Sequence, residues 1–238
     1  MNLDNILAIS IPEGPVKQIA INGSVIWEAK PAFDKYSWEG VFASIDAGTY
    51  ATDYAIGDTV PLDLGSEGLI NMQIAAFDTD DLADGTGKAP ITWIAKEALT
   101  TARAMNNGMM SCYANWEDTS MRSYLSNTIM NLVSEIVRNR IVAVTKEHDA
   151  YNADGIFEGS TIDSVWLPSK VELSGMYNDL FPNAAARRKF VVGTTNNAYW
   201  WLRDAERNYY FHEVDSDSIF SSRQAWNKAA YIVIGFCT

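Results

Sequence analysis

Weak alternation of apolar and polar residues marks the first thirty positions of the chain. The segment Ile6 to Trp27 alternates around two turn signals, Pro12 to Pro15 and Asn22-Gly23, and this pattern predicts a β-hairpin across the Asn-Gly pair. Pro31 then disfavours continuation of either a helix or a central strand. We therefore expect an N-terminal β segment over residues 1–32 and a main domain over residues 33–238.

In the main domain, apolar residues recur at the spacing of a β-strand in some segments and at the spacing of an α-helix in others. Met121, Leu125 and Ile129 recur at four-residue spacing behind capping candidates at Asp118 to Ser120, and this is the clearest helix signal. Mixed short strands with two to three helices indicate an α+β domain. Strands are expected within Trp38–Asp63 and over Leu69–Phe77 (half-buried), Ile91–Ile94, Ile141–Val144 and Val165–Leu167; helices are expected over Lys96–Met105, from Ser120 to Val137, and from Pro168-Ser169 to before Asn178.

Composition narrows the classes of partner. The 18 Lys and Arg against 30 Asp and Glu give a net charge of −12, and no stretch concentrates basic residues, so we expect no binding to nucleic acid. We expect no membrane insertion and no secretion signal, because no apolar run has the required length or flanks. Cys112 and Cys237 are interpreted as buried free thiols rather than a disulfide framework.

Candidate chemistry is sparse. The acidic stretch Asp78 to Gly85 departs from a calcium loop at Leu82 and Ala83, so a solvated turn is expected and no metal or cofactor is assigned. His148 is interpreted as a solvated turn residue, and His212 as a ligand contact or an ordinary surface histidine. No nucleophile motif accompanies them, and we expect no enzyme activity.

Aromatic residues concentrate at the C-terminus, where ten of the 28 aromatics lie between Tyr199 and Phe236. Polar and charged residues are interleaved with them, a mixture typical of contact surfaces. Trp200 to Leu202 and Ile232 to Phe236 are expected in the sheet core, with Arg203 holding the base of a loop through carbonyls or a carboxylate. The residues between are expected in exposed loops.

An ordered set of short motifs runs through the main domain and resembles a family of C-type-lectin-fold domains from phages and gut bacteria. That family is distantly similar to the formylglycine-generating-enzyme fold, but the cysteines here lie outside any matching motif, so that activity is not expected. The resemblance spans roughly residues 33 to 238. Its motifs are Tyr50 to Asp58, Phe77 to Gly85, Met121 to Leu125, Trp166 to Ser169, Trp200 to Arg203 and Gly235 to Cys237.

Some members of that family resemble the variable proteins of diversity-generating retroelements, in which the stretch before Gly-Phe-Cys carries the diversified ligand contacts. This resemblance implies a C-type lectin fold whose C-terminal face binds a ligand. The implied ligand-binding residues are Asp204, Glu206, Arg207, Asn208, Tyr209, Tyr210, His212, Asp215, Asp217, Phe220, Ser222, Arg223, Trp226 and Asn227.

Residues Val16 to Trp27 also resemble short segments of phage tail proteins. Together the two resemblances imply a receptor-binding protein (adhesin) of a phage tail, made in the bacterial cytoplasm and carried on the virion. The implied partners are a bacterial surface protein or glycan, other phage tail proteins, and further copies of the chain in a homo-oligomer, with a trimer favoured. A bacterial surface adhesion module of the same fold and a structural tail protein are the alternatives.

Overall fold

The computed structural model describes residues 10–11, 14–15, 18–21, 24–28, 34–107 and 115–238. The chain divides into two compact units, Met1–Asp34 and Lys35–Thr238. In the first unit, strands β1 (Ser10–Ile11) and β2 (Gly14–Pro15) pair antiparallel. Strands β3 (Gln18–Ile21) and β4 (Ser24–Glu28) also pair antiparallel, which confirms the hairpin predicted across Asn22-Gly23.

A four-stranded antiparallel sheet forms the centre of the second unit. Its strands are β5 (Thr59–Asp63), β6 (Leu69–Phe77), β7 (Ile91–Ala95) and the C-terminal β13 (Gly235–Cys237), in the order β13-β7-β6-β5. The strands predicted at β6 and β7 are confirmed. β6 is more deeply buried than the predicted half-buried strand, because packing covers both faces along its second half.

Of the strands expected within Trp38–Asp63, β5 is confirmed, but two helices, α1 (Trp38–Ala47) and α2 (Tyr50–Asp53), occupy most of the segment before it. Ser37 caps α1 by accepting a hydrogen bond from the Gly40 backbone N–H at 3.1 Å. Gly48 ends it with a φ of 69°, a left-handed conformation that glycine adopts without strain. Trp38 and its neighbours one turn on are buried against the core.

The helix predicted from Ser120 to Val137 begins where expected but ends earlier than predicted. Thr119 caps α3 (Ser120–Tyr124), and the helical path continues through a π-helical turn, Leu125–Ile129, into α4 (Met130–Leu132). Extended backbone at Val133 then stops it, and α5 (Glu135–Arg138) begins separately. Within the described residues there are thus five short α-helices, more than the two to three expected.

The helix expected over Lys96–Met105 is wrong, because this segment uses its backbone for tertiary contacts. The Ala98 N–H donates to Phe190 O, the Leu99 N–H to Ile232 O and the Arg103 N–H to Ala230 O. Tertiary hydrogen bonding and burial therefore override helix propensity here. The short helix expected to open at Pro168-Ser169 is confirmed as a π-helical turn, Glu172–Met176, which ends before Asn178.

Two further sheets complete the unit. A hairpin that the sequence did not indicate joins β8 (Val144–Asn152) to β9 (Gly155–Asp163). Strands β10 (Trp200–Arg207), β11 (Tyr210–Val214) and β12 (Phe220–Gln224) form a three-stranded antiparallel sheet. The strands expected at Ile141–Val144 and Val165–Leu167 reduce to isolated bridges, apart from Val144 itself, which begins β8.

One continuous core joins these layers. Five tryptophans are completely buried within it: Trp93, Trp116, Trp166, Trp200 and Trp201. The burial of Trp200 to Leu202 and Ile232 to Phe236 confirms their expected place in the core. The described part of the chain is therefore an α+β protein, and none of its helices is long and apolar enough to cross a membrane.

Candidate functional site

The C-terminal ligand-binding residues proposed from the sequence lie mostly on or beside the β10–β12 sheet. This is a correction, because the segment after Arg203 was expected in exposed loops. Tight turns join the strands: Tyr209 takes a φ of 62° between β10 and β11. Between β11 and β12, the Asp215 carboxylate accepts backbone hydrogen bonds from Asp217 and Ile219, each at 2.9 Å. The region is thus a sheet whose strands are joined by short turns.

One face of this sheet carries a strip of half-exposed side chains, which we call the outer strip. Residues paired across antiparallel strands point to the same face, and every second residue along a strand does so too. Tyr210 pairs with Gln224, His212 with Ser222, and Arg207 on β10 pairs with Tyr210. Val214, which pairs with Phe220 on this same face, is fully buried. The outer strip therefore consists of Arg207, Tyr210, His212, Phe220, Ser222 and Gln224.

Local contacts hold the aromatic rings of the outer strip. The Arg207 guanidinium lies 4.3 Å from the centroid of the Tyr210 ring, and Gln224 Nε2 donates to the Tyr210 hydroxyl at 3.2 Å. At the other end, Arg187 lies 4.2 Å from the centroid of the Phe220 ring. These contacts reduce the conformational entropy that the rings would lose on binding a ligand.

The opposite face of the sheet is part of the core. Phe211 and Glu213 are buried there, and Arg223 forms a two-pronged ion pair with Glu213 at 2.6 and 3.0 Å. Arg223 also stacks over Tyr199 at 5.0 Å. Because Arg223 neutralises a buried carboxylate, it stabilises the fold from the face opposite the outer strip.

The remaining predicted contact residues divide between the interior and the turns. Asp204 is a correction, because it is 1% exposed and accepts hydrogen bonds from the backbone of Asp149 and Lys170. Burial raises the pKa of this carboxyl, although Arg203 and the two backbone donors oppose the rise. Glu206 forms an ion pair with Arg207, while Asn208, Tyr209, Asp215, Asp217, Trp226 and Asn227 lie in the turns, where Tyr209 and Trp226 pack 5.8 Å apart.

A charged cleft of about 370 Å³ lies beside β8, β9 and β10. Glu147, Asp149 and Glu158 share one face of the β8–β9 hairpin and line this cleft, and Asp149 stands directly opposite Glu158. The exposed side chains of Val171 and Met176 line it from the helical turn. Sequence reasoning missed the cleft, because its residues come from segments that are far apart along the chain.

Four buried charges, on Asp80, Lys146, Glu172 and Arg203, also line the cleft and pair with one another. Lys146 Nζ lies 2.5 Å from Asp80 and 2.9 Å from Glu172, and it donates to the Tyr177 hydroxyl at 2.9 Å. The Arg203 guanidinium donates a hydrogen bond to each carboxylate oxygen of Glu172, both at 2.7 Å. Ser169 and Glu172 also exchange hydrogen bonds in a capping box that fixes the start of the helical turn.

Arg203 ties this network to the backbone. Its guanidinium donates to Leu167 O at 2.7 Å and twice to Glu147 O, at 2.7 and 3.0 Å. The expected role of Arg203, held by carbonyls and a carboxylate, is therefore confirmed. Burial alone would raise the pKa of Glu172, but the charges of Arg203 and Lys146 outweigh it and lower the pKa to about 2. We refer to Asp80, Lys146, Glu172, Tyr177 and Arg203 as the ion network.

Two sequence interpretations change, one at the ion network and one beside it on β8. Asp80 is buried and ion-paired, so the acidic stretch is not simply a solvated turn. His148 is a correction as well: its ring is buried on β8, and its Nε2 lies 3.0 Å from Glu117. Gly159 leaves room for that ring, since a Cβ at this position would lie 2.6 Å from Nε2.

The described residues do not place three His, Cys, Asp or Glu side chains together in a geometry that could hold a metal ion. Cys237 is a free, buried thiol, as expected, and burial raises its pKa. Cys112 lies outside the described residues. The arrangement therefore contains a saturated ion network and, separately, a surface of half-exposed aromatic and polar groups that could contact a ligand.

A family model described as a domain of unknown function (DUF6273) matches residues 92–234, which is more than half of the chain. The match includes all six residues of the outer strip and every member of the ion network except Asp80. No curated protein and no solved structure matches the chain.

Proposed function

The chain belongs to the DUF6273 family, and we propose that it is a binding protein that recognises a bacterial surface ligand through the outer strip. The observation that carries this proposal is the strip itself. Two aromatic rings, a histidine and an arginine lie half-exposed or exposed on one face of the sheet, while Phe211 and Glu213 on its other face are buried. Aromatic and arginine side chains are enriched at binding hot spots because they bury much area at low entropic cost.

The ion network supports a binding role over a catalytic one in this proposal. Each charge in it is paired and almost fully buried, with 1 to 2% of the side chain exposed for Lys146, Glu172 and Arg203. A general acid or base must reach the reacting atoms of a substrate. The network instead fixes β8, β10 and the helical turn beside the sheet that carries the strip.

The proposal places the binding domain in the C-type lectin fold and the protein at the tip or fibre of a phage tail. Support comes from the motif resemblance, from the α+β architecture, and from the position of the outer strip just before Gly235-Phe236-Cys237. In this proposal the N-terminal strands attach the domain to other tail proteins. Several copies together would then turn weak individual sites into firm attachment.

Removal of the outer strip tests the proposal. A Tyr210→Ala, His212→Ala, Phe220→Ala triple variant is expected to lose binding to host cells by roughly tenfold or more, because truncated aromatic anchors typically cost 1 kcal/mol or more each. The measurement is flow cytometry of fluorescently labelled protein on intact cells of a panel of bacterial strains. Unchanged binding by a folded triple variant would contradict the proposal.

A matched control separates the strip from apolar surface in general. Tyr36, Leu69 and Ile136 are 48, 63 and 47% exposed and lie outside the β10–β12 sheet. Their triple alanine variant should bind cells as the wild type does. Thermal melts of both triple variants show whether a loss of binding reflects a loss of folding.

A further inference from the structure

Strand β9 forms one edge of the β8–β9 hairpin, and that edge is long and apolar. Within the described residues no strand pairs with its outer side. Ile156, Phe157 and Ile162 are 58, 41 and 57% exposed. Exposed apolar edge strands are templates for pairing with another chain, so soluble proteins usually protect them.

The outer edge of β8 shows how this protein protects an edge. Backbone groups that point away from β9 occur at every second residue of β8, and other parts of the unit bond one such group at each of four residues in turn. The bonds are Thr145 N–H to Asp81 O, Arg203 to Glu147 O, Asp149 N–H to Asp204 Oδ1, and Tyr151 N–H to Asn115 Oδ1.

The outer edge of β9 lacks this protection. The register pairs β8 residues 145, 147, 149 and 151 with residues 162, 160, 158 and 156, so the outward backbone groups of β9 belong to Ile156, Glu158, Ser160 and Ile162. Arg122 donates to Ile162 O at 2.9 Å. Among the described residues, no hydrogen bond reaches the outward groups of Ile156, Glu158 or Ser160.

Sequence features that usually blunt an edge are also missing from β9. It contains no proline and no lysine, and its nine residues pair with β8 in continuous register without a bulge. Glu158 is the single charged side chain along the outward positions. The strand is therefore regular, accessible and able to accept a further strand.

We propose that β9 pairs antiparallel with β9 of a second copy, about a two-fold axis through Gly159. In this register Glu158 of each copy faces Ser160 of the other, and their outward N–H and C=O groups form four hydrogen bonds. Ile156 of each copy faces Ile162 of the other. The hydrogen-bond ladder between the two copies ends at this isoleucine pair, because Arg122 already donates a hydrogen bond to the Ile162 carbonyl.

We assign the partner strand to a second copy because β9 is complementary to itself in this register. Moving the axis by one residue to Glu158 would place two carboxylates directly opposite each other, which destabilises a strand pair. The Gly159 axis avoids this clash and brings the exposed isoleucines together twice. A two-fold contact joins only two copies, so it is distinct from the trimer that the family resemblance implies.

Opposite charges at residue 160 test the pairing. Ser160→Glu places a carboxylate opposite the second copy's Glu158 on both sides of the axis, and it should raise the dimer dissociation constant about tenfold. Ser160→Lys places an ammonium there and should lower the constant several-fold. Sedimentation velocity of the full chain over a wide concentration range measures the dimer dissociation constant of each variant. Thr195→Glu, in an exposed loop, is the control for added charge.

Residue 160 also faces Glu147 within its own hairpin, so thermal melts are compared for each variant. A concentration-dependent dimer that the Glu variant weakens and the Lys variant strengthens is the expected result. A wild-type chain that stays monomeric at every concentration would overturn the proposal. A dimer that both variants leave unchanged would overturn it as well.

Discussion

Replacing Arg203 with alanine is expected to lower the free energy of unfolding by about 3 to 5 kcal/mol, because it leaves the buried Glu172 carboxylate without its main partner. It also removes the donors to Leu167 O and Glu147 O. Urea unfolding of the wild type and the variant at neutral pH measures this loss. Arg203→Lys keeps the charge without the two-pronged geometry, and it should lose less than the alanine variant.

The effect of Arg203 should also depend on pH. The pKa of Glu172 is about 2 in the folded chain and lies near 4.5 when the chain is unfolded, so its stabilisation is complete above pH 4.5 and is lost as pH falls toward 2. The stability difference between the wild type and Arg203→Ala should therefore narrow in acid. If the free energy of unfolding of Arg203→Ala at neutral pH were less than about 1 kcal/mol below that of the wild type, the ion network would contribute little to stability.

Replacing Lys189 with methionine is expected to stabilise the protein at pH 6. Lys189 is 2% exposed, and its Nζ donates to Ala95 O at 2.7 Å. Burial lowers its pKa from 10.5 to about 7, so folding a protonated lysine into this site costs about 5 kcal/mol, at 1.36 kcal/mol per pKa unit. Loss of the hydrogen bond to Ala95 O offsets about 1 to 3 kcal/mol of the gain.

The advantage of the methionine variant should disappear in alkali. Between pH 7 and 10.5 the unfolded chain holds a proton at Lys189 that the folded chain does not, so wild-type stability rises with pH across this window. The variant should therefore be more stable than the wild type at pH 6 and no more stable near pH 10. Urea unfolding across this pH range shows where the stability of the wild type overtakes that of the variant. The control is Lys228→Met, at an exposed lysine. Parallel pH profiles of stability for the wild type and Lys189→Met would refute the lowered pKa of Lys189.

Helix α1 shows what local sequence could have revealed. Trp38, Val41 and Phe42 are spaced for one face of a helix, and Ser37 stands at the capping position. The glycines around them favoured an interpretation as broken strands. The information was therefore present, and the weight given to Gly40 and Gly48 explains the error.

Strand β8 shows what local sequence could not reveal. Its inward positions are Val144, Lys146, His148 and Ala150, all of them buried. Charged and imidazole side chains at inward positions conceal the period-two pattern on which strand prediction depends. Only the distant partners Asp80, Glu117 and Glu172 make their burial possible, and sequence spacing does not reveal those contacts.

The candidate site was predictable in part. The aromatic enrichment located the segment, and the hydrogen-bonding capacity of arginine indicated the supporting role of Arg203. Assigning residues to a face needs the register of β11 and β12, which places Arg223 on the inner side and Gln224 on the outer strip. Composition alone cannot separate two neighbours that point to opposite faces.

An NMR titration tests the central claim most directly. The ¹⁵N-labelled protein would be mixed with glycan or protein fragments released from the surface of a strain that it binds. We predict shifts concentrated at the amides of residues 207–214 and 220–224, with the resonances of the ion network almost unchanged. Shifts confined to the charged cleft, with none along β11 and β12, would contradict the account.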